Sequence, residues 1–149
     1  MKKLFLTAAM IVCALAAQAG QDIVGLWTTI DDETKEAKSV VQIYEYKGKF
    51  YGRVVELIQN KNATAKIPGK PKVLGLDIIW DLQKDDDTYS GGKILDPTKG
   101  KVYGCEIWRE GDKLIVRGKI AFLGRNQTWL KNTASQAGIA APTPKKPKI

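Results

Sequence analysis

The chain has 149 residues, of which 44% are hydrophobic and 27% charged, and this composition suits one globular domain. Its net charge of +8 is dispersed, because two of the 24 basic residues precede residue 4 and three follow residue 144, which leaves residues 20–131 with 19 basic and 16 acidic groups. This mixed surface argues against a nucleic-acid-binding domain, and the absence of histidine excludes Ser-His-Asp catalysis, histidine-based zinc sites and an imidazole proton shuttle.

Residues 1–19 have the pattern of a secretory signal peptide. Lys2 and Lys3 precede an apolar run over residues 4–17, and Ala17-Gln18-Ala19 supplies a small-residue cleavage site. Cleavage after Ala19 leaves 130 residues, enough for one core but not for two. We therefore expect a periplasmic or secreted protein. No later stretch is apolar enough for an integral membrane span.

The mature chain keeps one cysteine, Cys105, because Cys13 lies in the signal segment; an internal disulfide is therefore excluded. Lipid attachment at Cys13 is disfavoured, since Val12 is bulkier than the small residue that processing requires. Cys105 alternates with Tyr103 and Ile107 along a predicted strand, which is typical of a small buried residue. A reactive thiol would need an electropositive, partly exposed setting.

From residue 24 onwards, short segments rich in Val, Ile, Tyr, Trp and Thr recur between Gly, Asp, Asn, Lys and Pro. This spacing is typical of an all-β sandwich or barrel, and it predicts about eight strands. Short connections at residues 85–87, 96–101 and 110–112 predict an antiparallel meander, because parallel neighbours need crossovers of a dozen or more residues. The predicted strands are Val24–Ile30, Lys38–Tyr46, Lys49–Leu57, Asp77–Gln83, Thr88–Leu95, Lys101–Trp108, Lys113–Ala121 and Gly124–Lys131.

The segment VVQIYEYKGKFYGRVVEL predicts the clearest hairpin. Lys47-Gly48 suits a two-residue turn because glycine tolerates the positive φ that such turns require. A one-residue slip of this register would reverse which side chains face the core. The more apolar face, which we predict to be the core face, pairs Val41 with Val54, Ile43 with Gly52 and Glu45 with Phe50. The other face pairs Gln42 with Arg53 and Tyr44 with Tyr51.

Two segments lack the strand pattern. Residues 58–75, IQNKNATAKIPGKPKVLG, form a long connection with four lysines and two prolines. Long loops in compact domains are often functional or disordered; a lid over a barrel mouth and a mobile surface excursion are both open, and we prefer the second. Residues 132–149, NTASQAGIAAPTPKKPKI, are poor in core-forming residues and predict a disordered Pro/Lys-rich tail.

The first and last strands each carry a large aromatic residue, Trp27 in GLWTT and Trp129 in GRNQTW. A meander removes its exposed edges most simply by closing the last strand onto the first. Closure would bring Trp27 near Arg125, Gln127 and Trp129, which share one side of the last strand. A guanidinium stacked on the Trp27 indole would then plug one end of the barrel. The alternative is that both tryptophans are ordinary core residues and Arg125 is an exposed strand charge.

Gly25-x-Trp27 with an arginine late in the meander resembles the lipocalin and fatty-acid-binding-protein superfamily, whose barrels use such a pair to close one end. The ordered blocks GLWTT, VVQIYEYKGKFYGRVVEL, GGKILDPTKGKVYGCEI and LIVRGKIAFLGRNQTW resemble, more specifically, the exported bacterial family DUF2147. This resemblance covers residues 24–131 and implies a lipocalin-like barrel and an exported location, but no reaction. Many members carry cysteines near the positions of Tyr51 and Gly75, so a disulfide pinning the long loop is absent here.

Barrels of about eight strands can hold one small ligand, in pockets that are mostly apolar with few orienting polar groups. We therefore expect an exported binding protein for a fatty acid, lipid fragment or similar apolar or amphipathic molecule, with no cofactor. A barrel filled by its own side chains is the alternative. Candidate wall residues are Ile43, Trp80 and Tyr103, and candidate partners for a carboxylate or phosphate head are Arg53, Arg117 and Arg125.

Enzymatic and metal chemistry have weaker support. Glu45, Glu56 and Glu106 lie on three different strands, and no spacing forces any two together, so we expect solvated side chains rather than an acid-base pair. Asp85–Asp87 lacks the ligand spacing of a calcium loop.

The alternative function is a cell-envelope interaction module, an inhibitor or assembly factor, that contacts a partner protein through the Lys-rich loop or tail.

Overall fold

The computed structural model describes residues 23–120, 123–133 and 142–149. These residues form a closed antiparallel barrel of eight strands paired in chain order, as the meander predicts. The predicted signal peptide lies outside the described residues. Within the described part of the chain there is no helix capable of crossing a bilayer. The strands are β1 Gly25–Ile30, β2 Ala37–Tyr46, β3 Lys49–Leu57, β4 Asp77–Asp85, β5 Thr88–Asp96, β6 Lys101–Glu110, β7 Lys113–Ile120 and β8 Leu123–Lys131.

The β2–β3 hairpin has the register that its sequence predicts. Val41 pairs with Val54, Ile43 with Gly52 and Glu45 with Phe50. Lys47 and Gly48 have φ of 50° and 82°, the left-handed pair that matches the twist of a two-residue hairpin. The apolar face is the inner face of the barrel, because Val41, Ile43 and Val54 are buried in the core.

We call the end of the barrel that carries the β2–β3, β4–β5 and β6–β7 turns the turn end, and the opposite end the loop end. Side chains pack tightly inside the turn end, where Trp27, Leu114 and Trp129 are buried. Phe50 and Tyr89 meet there edge to face, with ring centroids 4.8 Å apart, an arrangement that stabilises beyond the area it buries. This half of the barrel is filled.

The long connection between β3 and β4 is a lid on the loop end. Ala65, Ile67 and Val73 are buried and join the barrel core. The Lys66 amide donates to the Pro97 carbonyl at 2.9 Å, so the loop reaches across to the β5–β6 connection. The preferred expectation of a mobile surface excursion is therefore wrong, because the apolar residues among the lysines bury themselves.

Residues 142–149, assigned from sequence to a disordered tail, lie against the outer face of β3 and β4. Arg53 Nη2 donates to the Thr143 carbonyl at 2.9 Å, and the Lys145 amide donates to Asp77 Oδ2 at 2.7 Å. This arrangement differs from the expected solvated tail, since buried polar groups of the barrel supply partners for the tail backbone. Residues 134–141 of the predicted tail lie outside the described residues.

Gly100 holds the lid in place through close backbone approach. Its φ is 69°, and an added Cβ would overlap the Lys66 carbonyl oxygen. Gly111 is a matched control, because its φ is 61° and an added Cβ would meet nothing within 4 Å. We expect Gly100→Ala to lower the free energy of unfolding by about 1–3 kcal/mol more than Gly111→Ala, because only the first adds a clash to the backbone strain.

Urea unfolding of both variants measures this difference. Equal losses of stability would show that contact between the lid and the β5–β6 turn does not constrain the fold.

Candidate functional site

The inner face of β7 and β8 changes from buried to exposed towards the loop end. Leu114 and Ile120 share the inner face of β7 by alternation, yet they are 0% and 57% exposed. On β8, Trp129 and Leu123 share the inner face and are 2% and 66% exposed. The barrel therefore opens to solvent at this corner, which we call the open corner, and it exposes apolar side chains there.

The floor of the open corner is formed by Ile94 and Tyr103, which pair across β5 and β6. An added Cβ at Gly118 would lie 3.6 Å from Tyr103 Cβ and 3.9 Å from Ile94 Cγ2. Because Gly118 has no side chain to cover them, Ile94 and Tyr103 form the inner surface next to Ile120. A phenol ring among aliphatic groups suits a ligand that is apolar with a few polar groups.

An ion pair lies at the rim of this corner. Arg125 Nη2 and Asp32 Oδ2 are 2.7 Å apart, and the Arg125 side chain is 67% exposed. The Gln127 amide lies 3.5 Å from the same Asp32 oxygen. Because an exposed pair contributes only about 0–1 kcal/mol, the guanidinium can exchange Asp32 for another carboxylate or a phosphate at little cost.

Of the predicted wall residues, Tyr103 reaches this corner and Ile43 does not. Ile43 is fully buried and packs where an added Cβ at Gly52 would lie 3.2 Å from both Ile43 Cδ1 and Ile79 Cβ. This part of the interior has no space for a ligand beside Gly52. Ile43 is a core residue.

Three other predicted ligand residues, Arg53, Trp80 and Arg117, lie on the outer side of the barrel. Arg53 follows inward-facing Gly52 and donates from Nε to Asp77 at 2.9 Å. Arg117 alternates with buried Val116 and packs where a side chain at Gly124 would otherwise sit.

Trp80 follows inward-facing Ile79. Between the pairs Gly52–Ile79 and Phe50–Leu82, β4 holds one more residue than β3, so this bulge turns both Trp80 and Asp81 outwards. The structure therefore does not bring these three residues together with Tyr103 at the open corner, because the two faces of a strand cannot converge on one cavity.

Of the two accounts of Arg125, the structure places it as an exposed strand charge rather than stacked on Trp27. Trp27 pairs with Lys131 across the β1–β8 seam, and Arg125 lies six residues earlier, about 20 Å along the strand. The cations over the Trp27 ring are Arg109 and Lys131, 5.5 Å and 5.2 Å from its centroid. An arginine does cover the first-strand tryptophan, but it comes from β6.

The remaining closure residues hold this end together by hydrogen bonds. Trp27 Nε1 donates to the Ile23 carbonyl at 2.9 Å, and Trp129 Nε1 donates to Gln127 Oε1 at 3.1 Å. Gly25 begins β1 opposite Ile43. Both indole N–H groups are therefore satisfied inside an apolar setting, as buried polar groups require.

The groups at the core offer little nucleophilic chemistry. Burial raises the pKa of the Cys105 thiol, with a smaller contribution from Glu106, so the thiol stays protonated at neutral pH. Among the described residues, no group of three or more Cys, Asp or Glu side chains could hold a metal ion. What the open corner presents is an apolar floor with one cation at its rim.

Sequence reasoning missed most of the open corner. Ile94, Ile120, Leu123 and Asp32 were not among the predicted site residues. Ile120 and Leu123 could have been found by counting in twos from the core-like Leu114 and Trp129, and Ile94 by its pairing with Tyr103 across the DPTKGK turn. Asp32 follows β1 and meets Arg125 only because the barrel closes, so no local pattern marks it.

The family model described as "Uncharacterized protein conserved in bacteria (DUF2147)" matches residues 25–131. The chain belongs to the DUF2147 family. Protein HP1028 from Helicobacter pylori, described as belonging to the lipocalin family, is similar in structure, with a TM-score of 0.63 and 21% identity over 74% of this chain and 83% of that chain. This likeness shows a shared lipocalin-like fold. Comparison with curated proteins finds no match.

In this DUF2147 barrel we expect the two arginines to differ in their effect on stability. Arg109→Ala should lower the free energy of unfolding by about 1–2 kcal/mol, because it uncovers the buried Trp27 ring. Arg125→Ala should lower it by less than about 0.5 kcal/mol, because only an exposed ion pair is lost. Thermal and urea unfolding measure both changes. If Arg125→Ala lowered the free energy of unfolding more than Arg109→Ala, Arg125 would be the arginine that closes this end of the barrel.

Proposed function

We propose that this protein is an exported lipocalin-like binding protein that takes a small apolar or amphipathic molecule, such as a fatty acid or lipid fragment, at the open corner. The observation that carries the proposal is the exposure of Ile120 and Leu123 on the inner face of the barrel. Exposed apolar groups on a concave inner surface gain about 25 cal/mol per Å² when a ligand removes them from water. Binding needs no covalent step.

The ion pair at the rim favours a ligand with an acidic head group. A ligand carboxylate can replace Asp32 as the partner of Arg125, which already presents its guanidinium to solvent at 2.7 Å from a carboxylate oxygen. Arginine suits this role because it binds carboxylates through parallel N–H donors. The apolar part of the ligand would then lie against Tyr103 and Leu123.

The filled turn end limits how deep a ligand can reach. Trp27, Leu114 and Trp129 already occupy the interior there, so the proposed ligand occupies only the loop-end half of the barrel. We therefore infer a preference for short chains, with little gain in affinity once the chain is longer than this half.

The proposed periplasmic or extracellular location rests on the signal pattern of residues 1–19, and the proposed absence of catalysis rests on the lack of histidine in the whole chain. A cell-envelope interaction module is the second candidate. It is favoured by the filled turn end, since a filled barrel can serve as a rigid platform for the lysines of the long loop.

The binding proposal is tested with octanoate and 1-octanol, which share a chain and differ in the head group. We expect Leu123→Ser to weaken binding of both about five- to tenfold, because it removes apolar contact area. Leu130→Ser is the matched control, since Leu130 is an exposed leucine on the outer face of the same strand. Arg125→Ala should weaken binding of octanoate but not of 1-octanol.

Titrations followed by NMR chemical shifts measure these affinities and map the residues that move. Equal effects of the two leucine substitutions, or no binding of either probe to the wild-type protein, would leave the interaction module as the better candidate.

A further inference from the structure

The outer face of β3 and β4 carries a buried carboxylate with an unusual number of donors. Asp77 has a fully buried side chain, and it accepts from the Tyr44 hydroxyl at 2.8 Å and from Arg53 Nε and Nη2 at 2.9 Å and 3.1 Å. Burial, together with Asp77, raises the pKa of Tyr44, so its hydroxyl remains a donor. The barrel thus supplies a fixed, oriented acceptor.

The C-terminal segment completes this site. The Lys145 amide donates to Asp77 Oδ2 at 2.7 Å, while Arg53 Nη2 donates to the Thr143 carbonyl at 2.9 Å. These two hydrogen bonds show that one carbonyl and one amide of the segment, two residues apart, face the barrel together. Arg53 and Asp77 bind each other and bind the segment at the same time.

A third contact selects a side chain. Lys146 Nζ lies 2.6 Å from Asp81 Oδ2, and the hydrogen bond to Asp81 raises the pKa of Lys146. Asp81 Oδ1 also accepts from the Tyr51 hydroxyl at 3.3 Å. The Tyr51 ring stacks on Tyr44 at 5.5 Å. Two carboxylates and two phenols therefore form one connected surface beneath the tail.

The composition of the segment suits such a site. Prolines at positions 142, 144 and 147 restrict the backbone to extended conformations, which lowers the entropy lost on docking. The segment borders a groove of about 400 Å³ that is walled on its other side by lid residues 68–76, among them Pro68, Pro71 and Leu74. The groove wall carries Lys72 as well, so its apolar residues suit the prolines of the segment, while Asp81 on the barrel binds the lysine.

We propose that the outer face of β3 and β4 is a binding site for an extended proline- and lysine-containing peptide, and that the chain's own residues 143–146 occupy it in cis. Arg53 binds the carbonyl of the first residue, Asp77 binds the amide two residues on, and Asp81 binds the lysine that follows. The nine peptide links between Thr133 and Pro142 can span about 30 Å, which allows a tail to reach its own barrel. This site lies on the opposite face of the sheet from the open corner, so it stands independently of ligand binding there.

The first test measures hydrogen exchange of the Lys145 amide in the full-length protein by NMR. We expect Lys146→Glu to accelerate exchange of this amide about fivefold. Loss of one exposed ion pair weakens docking of the segment by about that factor, so the amide is exposed to solvent more often. Lys148→Glu is the control, because it makes the same charge change at a lysine without an ion pair among the described residues. Asp81→Asn should match Lys146→Glu, and asparagine tolerates the φ of 60° at position 81.

The second test asks whether the site is specific, using a fluorescent peptide with the sequence PTPKKPKI. It should bind full-length Lys146→Glu protein, in which the resident segment is weakened, more tightly than the occupied wild-type protein. Adding Asp81→Asn should weaken this binding about fivefold, because the peptide lysine then loses its ion pair. Unchanged Lys145 exchange in Lys146→Glu, or equal peptide binding by all three proteins, would overturn the proposal. A wild-type dimer that Lys146→Glu converts to monomer would overturn the cis assignment and give the site to the tail of a second copy.

Discussion

Closure of β1 onto β8 is the constraint on which the rest of the structure depends. The seam is short, with register pairs at Trp27–Lys131 and Thr28–Leu130. It is extended by the Asn132 amide, which donates to the Leu26 carbonyl at 3.0 Å, and by the Arg125–Asp32 pair beyond the end of β1. Without closure, the first and last strands would be exposed edges and the two tryptophans would lose their shared core. Closure also separates an inner from an outer face, and each functional argument depends on that separation.

The two ends of the barrel are built differently because their connections differ. Tight turns at the turn end bring neighbouring strands together, and large inward side chains such as Trp27, Tyr89 and Trp129 fill the interior. At the loop end, the lid supplies Ala65 and Ile67 to the core but covers only part of the opening. The uncovered part lies over β7 and β8, where the inward side chains stay exposed. A barrel that is filled except at one corner can be stable and still expose apolar side chains there.

Features that depend on local physics were predictable from the sequence. The Lys47-Gly48 turn fixes the β2–β3 register, and period-two alternation then fixes which face is the core. The identity of the arginine over Trp27 was not predictable, since it depends on how far β8 slides along β1, which no local pattern encodes. Arg53 and Arg117 were misplaced for a simpler reason: they were chosen by charge, although the alternation of their own strands places them outside.

The lid and the tail were hard to predict for a related reason. Their stability comes from partners far away in sequence, such as the Pro97 carbonyl for Lys66 and the Asp77 carboxylate for Lys145. Composition alone predicts that a segment rich in lysine and proline is solvated. It shows that the segment has few core-forming residues, but not which distant groups the segment contacts in the fold. Gly100 gave no usable sign, since the DPTKGK turn alone explains a glycine there, and its close approach to the Lys66 carbonyl depends on the folded lid.

The lid has a different neighbour on each side. Its buried residues, Ala65 and Ile67, join the barrel core, while Pro68 and Leu74 wall the groove beside the docked tail. The lid therefore packs against the barrel on one side and faces the C-terminal segment across the groove on the other. The docked tail is held instead by side chains of the barrel wall, Arg53, Asp77 and Asp81. The two surfaces for which we propose binding therefore depend on different residues, so the two proposals can be tested separately.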